Sequence, residues 1–249
     1  MSNLVVDIGN SSTKVAVFEN DTIVFLHKLA SLSEEFLLNL KKQYLVEKAV
    51  VSSVKENFGI TENFLQQEFE YFRFNRLATL PVKNKYKSPD TLGLDRLAAV
   101  IGAKYLFPKE NCLVIDAGTC ITYDAINEMA VYNGGSISPG IKMRFDAMHQ
   151  FTAKLPQVAF NAHFEKAFGE NTEESMLSGG LNGVLYEAEG FIQQQLKAHQ
   201  DTKIILCGGD ATFFDSRFKN SIFAHLISHE PNLVLIGLNY FVKYQHDHK

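Results

Sequence analysis

Two stretches of the chain, 4–17 and 113–126, share one pattern of hydrophobic and polar positions. They have the sequences LVVDIGNSSTKVAV and LVIDAGTCITYDAI, and without a gap they carry the same Asp, Gly and Thr at the same offsets. In each, a hydrophobic and β-branched run leads into Asp-x-Gly and a polar stretch, and a second such run follows. Two strand-like runs joined by a short Gly-containing turn are typical of a β-hairpin. The chain is therefore predicted to consist of two related halves.

The patterning of the remaining positions predicts an α/β protein, because strand-like runs alternate with segments of helical period. Strands are predicted at Leu4–Asp7, Thr13–Phe18, Ile23–Lys28, Lys48–Ser52, Phe72–Phe74, Leu113–Asp116, Ile121–Ile126, Ala130–Asn133 and Ile204–Cys207. Helices are predicted from Ser31 or Ser33 to Tyr44, and at Thr61–Phe69, Leu92–Phe107, Ile141–Ala153, Glu173–His199 and Asn232–Tyr244. A basic loop, KNKYKSP, is expected at 83–89. We expect the halves to comprise residues 1–110 and 111–249.

Two local features add detail to the predicted helices. Ser31 and Glu34 have the spacing of a capping box at a helix start. Gly179, Gly183 and Gly190 lie on one face of the long helix, because they are spaced four and seven residues apart. Each of these glycines lowers helix stability by about 1 kcal/mol. We therefore expect another backbone, from the other half or from a second copy of the chain, to approach this face closely.

Charge and composition exclude several classes of protein. With 24 Lys and Arg against 28 Asp and Glu the net charge is −4, which argues against a nucleic-acid partner. The longest segment without charged residues or His, Met129–Ile141, is too short to span a membrane, and the N-terminus lacks the pattern of a signal peptide. Cys112, Cys120 and Cys207 lie apart in apolar stretches and are expected to be reduced core thiols. These features favour a cytoplasmic globular protein without a membrane partner.

The common phosphate-binding motifs are absent from the sequence. No two glycines are separated by a single residue and no Gly-Lys pair occurs, so the Rossmann, protein-kinase and Walker A loops are excluded. An Asp-x-Gly turn on its own usually just joins strands. Two such turns at repeated positions favour a nucleotide, because glycine lets the main chain approach phosphate closely. Asp7 would repel phosphate unless a cation lay between them, which implies Mg²⁺. A third turn, Gly208-Gly209-Asp210, is a candidate contact for adenine or ribose.

Taken in order, these motifs resemble the phosphate-1, phosphate-2 and adenosine motifs of the actin, sugar-kinase and Hsp70 ATPase superfamily. Within it, the chain resembles the type III pantothenate kinases from Asp7 to Asp210. The matching segments are DIGNSSTK (7–14), PDTLGLDR (89–96), DAGTCITYD (116–124), GGSISPG (134–140), LP (155–156), NTEES (171–175) and CGGDA (207–211). The resemblance implies two ribonuclease-H-like halves with a nucleotide cleft between them. It also implies ATP-dependent phosphorylation of pantothenate to 4′-phosphopantothenate, the first step of coenzyme A biosynthesis.

The resemblance assigns the nucleotide to residues of both hairpins. Asp7 corresponds to the phosphate-1 aspartate, which faces Mg²⁺ and the γ-phosphate of ATP, and Thr119 corresponds to a phosphate contact. Asp116 corresponds to the ligand of a monovalent cation, K⁺ or NH₄⁺, although its neighbours in the sequence do not distinguish that ion from Mg²⁺. The implied ATP-binding turn comprises Asp7, Ile8, Gly9, Asn10, Ser11, Ser12, Thr13 and Lys14.

The resemblance places the phosphoryl acceptor at Gly93-Leu94-Asp95-Arg96. Asp95 corresponds to the general base that deprotonates the pantothenate hydroxyl, and a positioned base contributes ~10²–10⁴-fold in rate. Arg96 and the backbone of Gly93, Leu94 and Asp95 correspond to the groups that hold the substrate. By their residue types alone, Asp95 and Arg96 could equally be an exposed pair at a helix start.

Two further residues correspond to substrate contacts. Tyr86, in the basic loop, matches a tyrosine that contacts the substrate. Thr172 matches a threonine that reaches pantothenate from the neighbouring subunit, so the resemblance implies a homodimer. Without the resemblance, Asn171-Thr172-Glu173-Glu174 has the composition of an ordinary helix N-cap with an acidic first turn.

Three positions depart from the pattern of the family, and two alternative functions remain open. Ser11 stands where Thr is more frequent, Cys120 where Ala is usual and Cys207 where Thr is usual, and both cysteines would reshape the nucleotide pocket. One alternative is a kinase of another small hydroxy-acid in the same superfamily. The other is a non-catalytic regulatory homologue, which the acidic net charge disfavours as a DNA-binding protein.

Overall fold

The computed structural model describes residues 2–9, 12–53 and 62–247 and divides the chain into two compact units. The first unit contains Met1–Pro108, Met129–Asn133 and Asn232–Lys249, and the second contains Lys109–Glu128 and Gly134–Pro231. The C-terminal segment thus belongs to the compact unit formed mainly by the N-terminal residues. The division into functional halves at 1–110 and 111–249 stays a prediction.

The first unit is built on a five-stranded sheet. Its strands are β1 (Ser2–Ile8), β2 (Thr13–Glu19), β3 (Thr22–Leu29), β4 (Val46–Ser53) and β5 (Glu70–Arg73), in the order β3-β2-β1-β4-β5. The short strand β6 (Lys83–Asn84) pairs with residues 131–132 in the same unit. Helix α1 (Glu34–Tyr44) follows β3, helix α2 (Glu62–Glu68) follows β4, and helix α3 (Leu94–Leu106) follows a 3₁₀ turn at Pro89–Thr91. On one face of the sheet, Leu4 and Val6 are fully buried in a cluster with Leu37 and Leu65.

The second unit contains the strands β7 (Cys112–Ala117), β8 (Cys120–Ile126), β10 (Lys203–Cys207) and β11 (Ile227–His229) and most of β9 (Val131–Pro139). The sheet order is β11-β10-β7-β8-β9-β6. Its helices are α4 (Ile141–Gln150), α5 (Thr172–Leu177), α6 (Gly183–Ala198) and α7 (Ala211–Phe218), with a π turn at Ser178–Asn182 between α5 and α6. Fully buried side chains of β10, α6 and α7, among them Ile204, Ile192 and Phe214, form its core.

The two sheets repeat one topology, which confirms the predicted fold of two related α/β units. In each, three consecutive strands lie side by side with the first two antiparallel, and two later strands add in parallel on the other side of the first. The register places Asp7 of β1 between Lys14 on one neighbouring strand and Ser52 on the other. The equivalent strand β7 carries Asp116. The repeat visible in the hairpin sequences therefore extends over both sheets.

Helix α3 is held in place by a close helix crossing within the first unit. The C-terminal helix α8 (Leu233–Asp247) packs along α3, and it also contacts β1 and β4. A Cβ on Gly237 would overlap the Ala98 carbonyl oxygen, and a Cβ on Gly102 would overlap the Leu233 carbonyl oxygen. Only glycine permits this separation of the two backbones. Because all but one of residues 94–104 are buried, α3 has little freedom to move.

Most predicted strands and helices are confirmed, and the differences have identifiable causes. The first helix is capped by Ser33, whose Oγ accepts a hydrogen bond of 3.3 Å from the Phe36 N–H, so the predicted Ser31 capping box is wrong. The strand predicted as Ala130–Asn133 continues to Pro139, through two glycines that weaken its pattern. Strands β6 and β11, which are too short to show periodicity, and the eight-residue helix α7 were not predicted. Thr61, the predicted start of the second helix, lies outside the described residues.

The glycines of the long predicted helix do not have the expected neighbours. The helix is interrupted by the π turn, and a π turn changes which positions share one face. No described atom outside the helix lies within 4 Å of a Cβ built on Gly179, Gly183 or Gly190, whereas one built on Gly180 would lie 2.6 Å from the Phe145 ring. Within its own unit, this helix face therefore has no closely approaching backbone. Approach by the other half or by a second copy stays a prediction.

Candidate active site

Asp7 lies at the end of β1 beside two polar groups. Lys14 and Ser52 are its direct cross-strand neighbours, so all three side chains emerge on one face of the sheet. Burial and, to a smaller extent, the negative charge of Asp95 together raise the pKa of the Asp7 carboxyl to about 6. Lys14 and a hydrogen bond with Ser52 oppose this rise. Asp7 and Asp95 are thus near enough to interact electrostatically, at a position where a cation would relieve their repulsion.

Asp95 is the second residue of α3, and its carboxylate is exposed. Its Oδ1 accepts a hydrogen bond of 2.8 Å from the backbone N–H of Arg96. Gly93 immediately precedes the helix, and a Cβ there would overlap the same Oδ1. The local backbone therefore orients the carboxylate, while its exposure leaves the other oxygen available to a bound substrate.

Arg96 and Tyr86 form the second part of this site. Arg96 is buried, with only 5% of the residue exposed. Its guanidinium carbon lies 5.6 Å from the centre of the Tyr86 ring. The Tyr86 ring is nearly parallel to that of buried Tyr132, with 6.3 Å between centroids and 10° between planes. The Tyr86 N–H also donates to Asn84 Oδ1 at 3.0 Å. The predicted basic loop is thus anchored by β6 and by aromatic packing.

The two hairpin turns have similar backbone hydrogen bonds. The Gly9 N–H donates to the Ser12 carbonyl at 3.1 Å, and the Gly118 N–H donates to the Cys120 carbonyl at 3.0 Å. Thr119, at the tip of the second turn, is exposed. Asn10 and Ser11 of the predicted ATP turn lie outside the described residues. The remaining members of that turn, Ile8, Gly9, Ser12, Thr13 and Lys14, follow Asp7 along the first hairpin.

The cysteine prediction is only partly correct. Cys112 and Cys207 are buried thiols that form no disulfide with another described residue, as expected. Cys120 is also free but exposed, because it stands at the turn end of β8 rather than within the apolar run. The expectation of a core thiol at this position is wrong. Cys120 is therefore a surface group directly beside Thr119.

Three separate segments of the second unit meet at residues 116–119. A Cβ on Gly208, whose φ is +93°, would overlap the Asp116 Oδ1 atom. The Asp210 N–H donates to the Ala117 carbonyl at 2.8 Å, and the Gly140 N–H donates to the Thr119 carbonyl at 3.1 Å. The second hairpin, the Gly-Gly-Asp turn and the start of α4 therefore form one continuous backbone surface. Such a surface suits phosphate groups.

A buried hydroxyl lies beside Asp116 without a hydrogen-bond partner among the described residues. Thr122 is the direct cross-strand neighbour of Asp116, so both side chains emerge on the same face, with Cβ atoms about 4.5–5.5 Å apart. The Thr122 Oγ1 atom is buried and unpaired. An unpaired buried hydroxyl is unfavourable, and the carboxylate and hydroxyl oxygens at this point are ligands that a hard cation prefers.

A cavity of ≈ 650 Å³ lies next to the Gly-Gly-Asp turn in the second unit. Its walls include Gly209, Asp210, Phe213 and Arg217 and the segment around Phe160. Phe160 packs edge to face on Phe213, with 5.6 Å between ring centroids. Burial raises the pKa of Asp210. The cavity combines aromatic surface with hydrogen-bonding groups, as nucleoside sites do.

The predicted residue Thr172 begins α5 in the second unit and is exposed. Asn171 precedes it as the helix N-cap and accepts a hydrogen bond of 3.0 Å from the Glu174 N–H. The predicted N-cap is therefore confirmed. The first unit contains the predicted residues Asp7, Tyr86, Gly93, Leu94, Asp95 and Arg96, and the second contains Asp116, Thr119 and Thr172.

Three residues of the site, Ser52, Tyr132 and Thr122, were not predicted to have a role. Ser52 and Tyr132 join the site only through strand pairing with distant segments, and no local motif marks them. Thr122 had a signal, because it repeats Thr13 in the aligned hairpins. In the described part of the chain, no helix is long and apolar enough to cross a membrane, and no three His, Cys, Asp or Glu side chains cluster as metal ligands.

Solved structures similar to this chain have the actin-like ATPase fold. A protein assigned to the Baf family of transcriptional activators from Campylobacter jejuni matches with a TM-score of 0.65 and 22% identity, over 98% of this chain and 99% of that one. A protein assigned as a sugar kinase from Cytophaga hutchinsonii matches with a TM-score of 0.54 and 12% identity, over 98% and 100%. At these identities the likeness establishes the fold alone.

Sequence comparison identifies the family. The model of the type III pantothenate kinases matches residues 3–194. A type III pantothenate kinase from Christiangramia forsetii is 42% identical over 246 residues, covering 97% of this chain and 98% of that protein. The chain therefore belongs to the type III pantothenate kinase family, whose members are phosphotransferases that phosphorylate pantothenate in coenzyme A biosynthesis.

Proposed function

We propose that this chain transfers the γ-phosphoryl group of ATP to the hydroxyl of pantothenate, with Asp95 as the general base. The hydroxyl oxygen bonds to the γ-phosphorus, the bond from that phosphorus to the ADP oxygen breaks, and the hydroxyl proton passes to the Asp95 carboxylate. The observation that carries this proposal is the exposed Asp95 carboxylate, oriented by the Arg96 N–H and close enough to raise the pKa of Asp7. The proposed base, Asp95, and the carboxylate assigned to the phosphate side, Asp7, thus belong to one site.

Arg96 and Tyr86 are suited to hold the acidic acceptor. Pantothenate carries a carboxylate, which a guanidinium binds well. The Tyr86 ring beside the Arg96 guanidinium limits where that cation can lie, and Tyr132 supports the ring from below. We assign the acceptor to this surface and to the backbone of Gly93 and Leu94. No observation favours a different hydroxy-acid, and the likeness to a transcriptional activator concerns the fold alone.

Asp7 is the residue that would face the magnesium ion of MgATP. Its buried carboxyl has a raised pKa and a second carboxylate nearby, so a cation would be favourable there. Bound Mg²⁺ would neutralise charge on the phosphates. Lys14 adds a positive charge on the same face of the sheet as Asp7. The backbone of the Gly9 turn follows Asp7 directly and is therefore close to the position assigned to the phosphates. Thr119 is assigned to a phosphate in the second unit.

We assign a monovalent cation, K⁺ or NH₄⁺, to Asp116 and Thr122. The supporting observation is the buried Thr122 hydroxyl, which lacks a partner among the described residues and lies on the same face as the Asp116 carboxylate. A cation there would offset the negative charge of Asp116 beside the phosphate surface. The neighbouring cavity at Gly209 and Asp210 is assigned to the adenosine part of ATP, because aromatic and polar groups line it together.

A homodimer is part of the proposal. Thr172 is exposed at the start of α5, where it is available to a second chain. The helical face with Gly179, Gly183 and Gly190 has open space beside each glycine among the described residues, so a second backbone has room to approach.

ADP release in the presence and absence of pantothenate, with K⁺ or NH₄⁺ varied, tests the proposed reaction. For Asp95→Asn we expect at least ~10²-fold lower kcat with the fold retained. The matched control is Asp90→Asn, which removes a carboxylate from the exposed 3₁₀ turn of the same segment and should leave kcat close to that of the unchanged enzyme. Turnover by Asp95→Asn at the control rate would refute Asp95 as the base.

A further inference from the structure

Three polar side chains of the second unit converge on Glu187, and we call the four residues the Glu187 cluster: Tyr123, Ser138, Arg144 and Glu187. The Tyr123 hydroxyl donates to Glu187 Oε1 at 2.9 Å. The Ser138 hydroxyl and the Arg144 guanidinium donate to Oε2 at 3.0 and 2.6 Å. Strands β8 and β9 and helices α4 and α6 each contribute one member. The reaction described above uses none of them.

The cluster is well enough connected to hold a defined geometry. The Arg144 and Glu187 side chains are 21% and 26% exposed, so their ion pair is screened less than a surface pair. Burial raises the pKa of Glu187, but the hydrogen bonds from Arg144, Ser138 and Tyr123 outweigh it and lower that pKa, so the carboxylate stays charged. The Tyr123 ring stacks on Phe191 of α6 at 4.1 Å between centroids.

A short path of hydrogen bonds joins this cluster to the phosphate surface. The Arg144 Nε donates to the Pro139 carbonyl at 2.8 Å, and another Arg144 nitrogen donates to Ser138 Oγ at 2.7 Å. Arg144 therefore grips two consecutive residues at the end of β9. The next residue, Gly140, donates its N–H to the Thr119 carbonyl at 3.1 Å. A displacement of Pro139 would therefore also displace the backbone of Thr119.

The fit between Gly140 and the hairpin turn leaves little tolerance. A Cβ on Gly140 would overlap the carbonyl oxygens of both Gly118 and Thr119. The end of β9 thus packs against the Gly118-Thr119 turn on one side and is hydrogen-bonded to Arg144 on the other. Packed backbones at this separation transmit a displacement rather than absorb it.

We propose that the Glu187 cluster positions the Gly118-Thr119 turn and thereby sets the affinity of the enzyme for the phosphates of ATP. Its four members are positioning residues, since none is assigned a contact with substrate. The inference rests on the proposed assignment of Thr119 to an ATP phosphate. It adds a specific consequence: loss of the cluster weakens ATP binding and leaves pantothenate binding, which is assigned to residues of the first unit and to Thr172 of a second chain, unchanged.

Glu187→Gln is the main test, because it removes the charge that Arg144 pairs with while keeping the side-chain size. We expect the KM for ATP and the Kd for MgATP, measured by calorimetry without pantothenate, to rise at least about 10-fold, since a displacement of ~1 Å can cost ~10²-fold. The KM for pantothenate should stay the same. The matched control is Asp146→Asn, which breaks the 2.5 Å ion pair with Lys142 on the outer side of α4 and should change neither constant.

Smaller changes keep the test decisive if Glu187→Gln fails to fold. Tyr123→Phe and Ser138→Ala each remove one donor to Glu187, and Arg144→Lys keeps the charge but cannot make all three Arg144 contacts. Each should raise the Kd for MgATP by a smaller factor than Glu187→Gln, with the circular dichroism spectrum unchanged. An unchanged Kd in every folded variant, or equal rises in both KM values, would overturn the inference. Failure of the unchanged enzyme to phosphorylate pantothenate would refute the proposed function instead, and the MgATP Kd would still test the cluster.

Discussion

The Asp95 carboxylate occupies the space that a side chain on Gly93 would require, because a Cβ built on Gly93 overlaps Asp95 Oδ1. Gly93 itself has φ −60° and ψ 132°, a conformation open to alanine. Gly93→Ala should therefore displace the carboxylate and leave the backbone unstrained. We expect kcat to fall about 10–100-fold, with the melting temperature nearly unchanged, in steady-state kinetics and a thermal melt.

The double variant Gly93→Ala with Asp95→Asn is the control for this prediction. If Gly93→Ala acts only through the base, it should lower kcat little further once Asp95 is replaced. Additive losses would mean that Gly93 acts in another way, for example by backbone contact with the acceptor.

Asp7→Asn is expected to stabilise the ligand-free protein. Burial, and after it the charge of Asp95, raise the pKa of Asp7 from 3.8 to about 6. Between these values the unfolded chain releases a proton that the folded chain keeps, so this carboxyl lowers stability as pH rises and the full penalty applies above pH ~6. Removing the charge should raise the free energy of unfolding by about 1–3 kcal/mol at pH 7.5, and the gain should vanish near pH ~4.

Urea unfolding of Asp7→Asn and the unchanged protein, with EDTA and without nucleotide, would measure this difference at each pH. MgATP should then raise the melting temperature of the unchanged protein and have a much smaller effect on the variant. Lower stability of Asp7→Asn at pH 7.5 would mean that Lys14 and Ser52 stabilise the carboxylate more than burial penalises it.

Hydrophobic patterning was sufficient to predict the fold, because the main strands of both units are continuous apolar runs in the sequence. The hairpin repeat at Asp7 and Asp116 anticipated the shared topology of the two sheets. It could not indicate Ser52 as a partner of Asp7, because that contact depends on the register between β1 and β4. Strand register follows from long-range packing, which no local pattern contains.

The glycines show a second limit of sequence reasoning. Helix propensity marks every glycine as unfavourable but does not tell which one has a neighbouring backbone. Gly179, Gly183 and Gly190 were expected to lie at a close crossing, whereas the close crossing seen in the first unit uses Gly102 and Gly237. The Glu187 cluster was missed for a similar reason, since its members are distant in sequence and each is unremarkable alone.

Thr122→Val should reduce activation by the monovalent cation. Valine has the shape of threonine but lacks the hydroxyl, which is buried, unpaired among the described residues and adjacent to Asp116. We expect the K⁺ concentration for half-maximal activity to rise about 10-fold, corresponding to ~1.4 kcal/mol. The measurement is the initial rate against KCl at constant ionic strength, repeated with NH₄Cl.

Thr122→Ser is the matched control, because it keeps the hydroxyl and should keep the K⁺ response. If Thr122→Val responds to K⁺ as the unchanged enzyme does, Thr122 is not part of a cation site. If neither protein responds to K⁺ or NH₄⁺, the monovalent cation itself is wrong for this chain.

Subunit mixing tests whether Thr172 acts on the acceptor bound to the other chain. Asp95→Asn and Thr172→Val should each have low activity as homodimers. In a mixed dimer, one site would combine Asp95 of the Thr172→Val chain with Thr172 of the Asp95→Asn chain and would be intact. Random mixing makes half of the dimers mixed, so co-refolded equal amounts should recover about a quarter of full activity. If Thr172 acts on the acceptor bound to its own chain, or if the enzyme is monomeric, the mixture should show no activity above the average of the two variants.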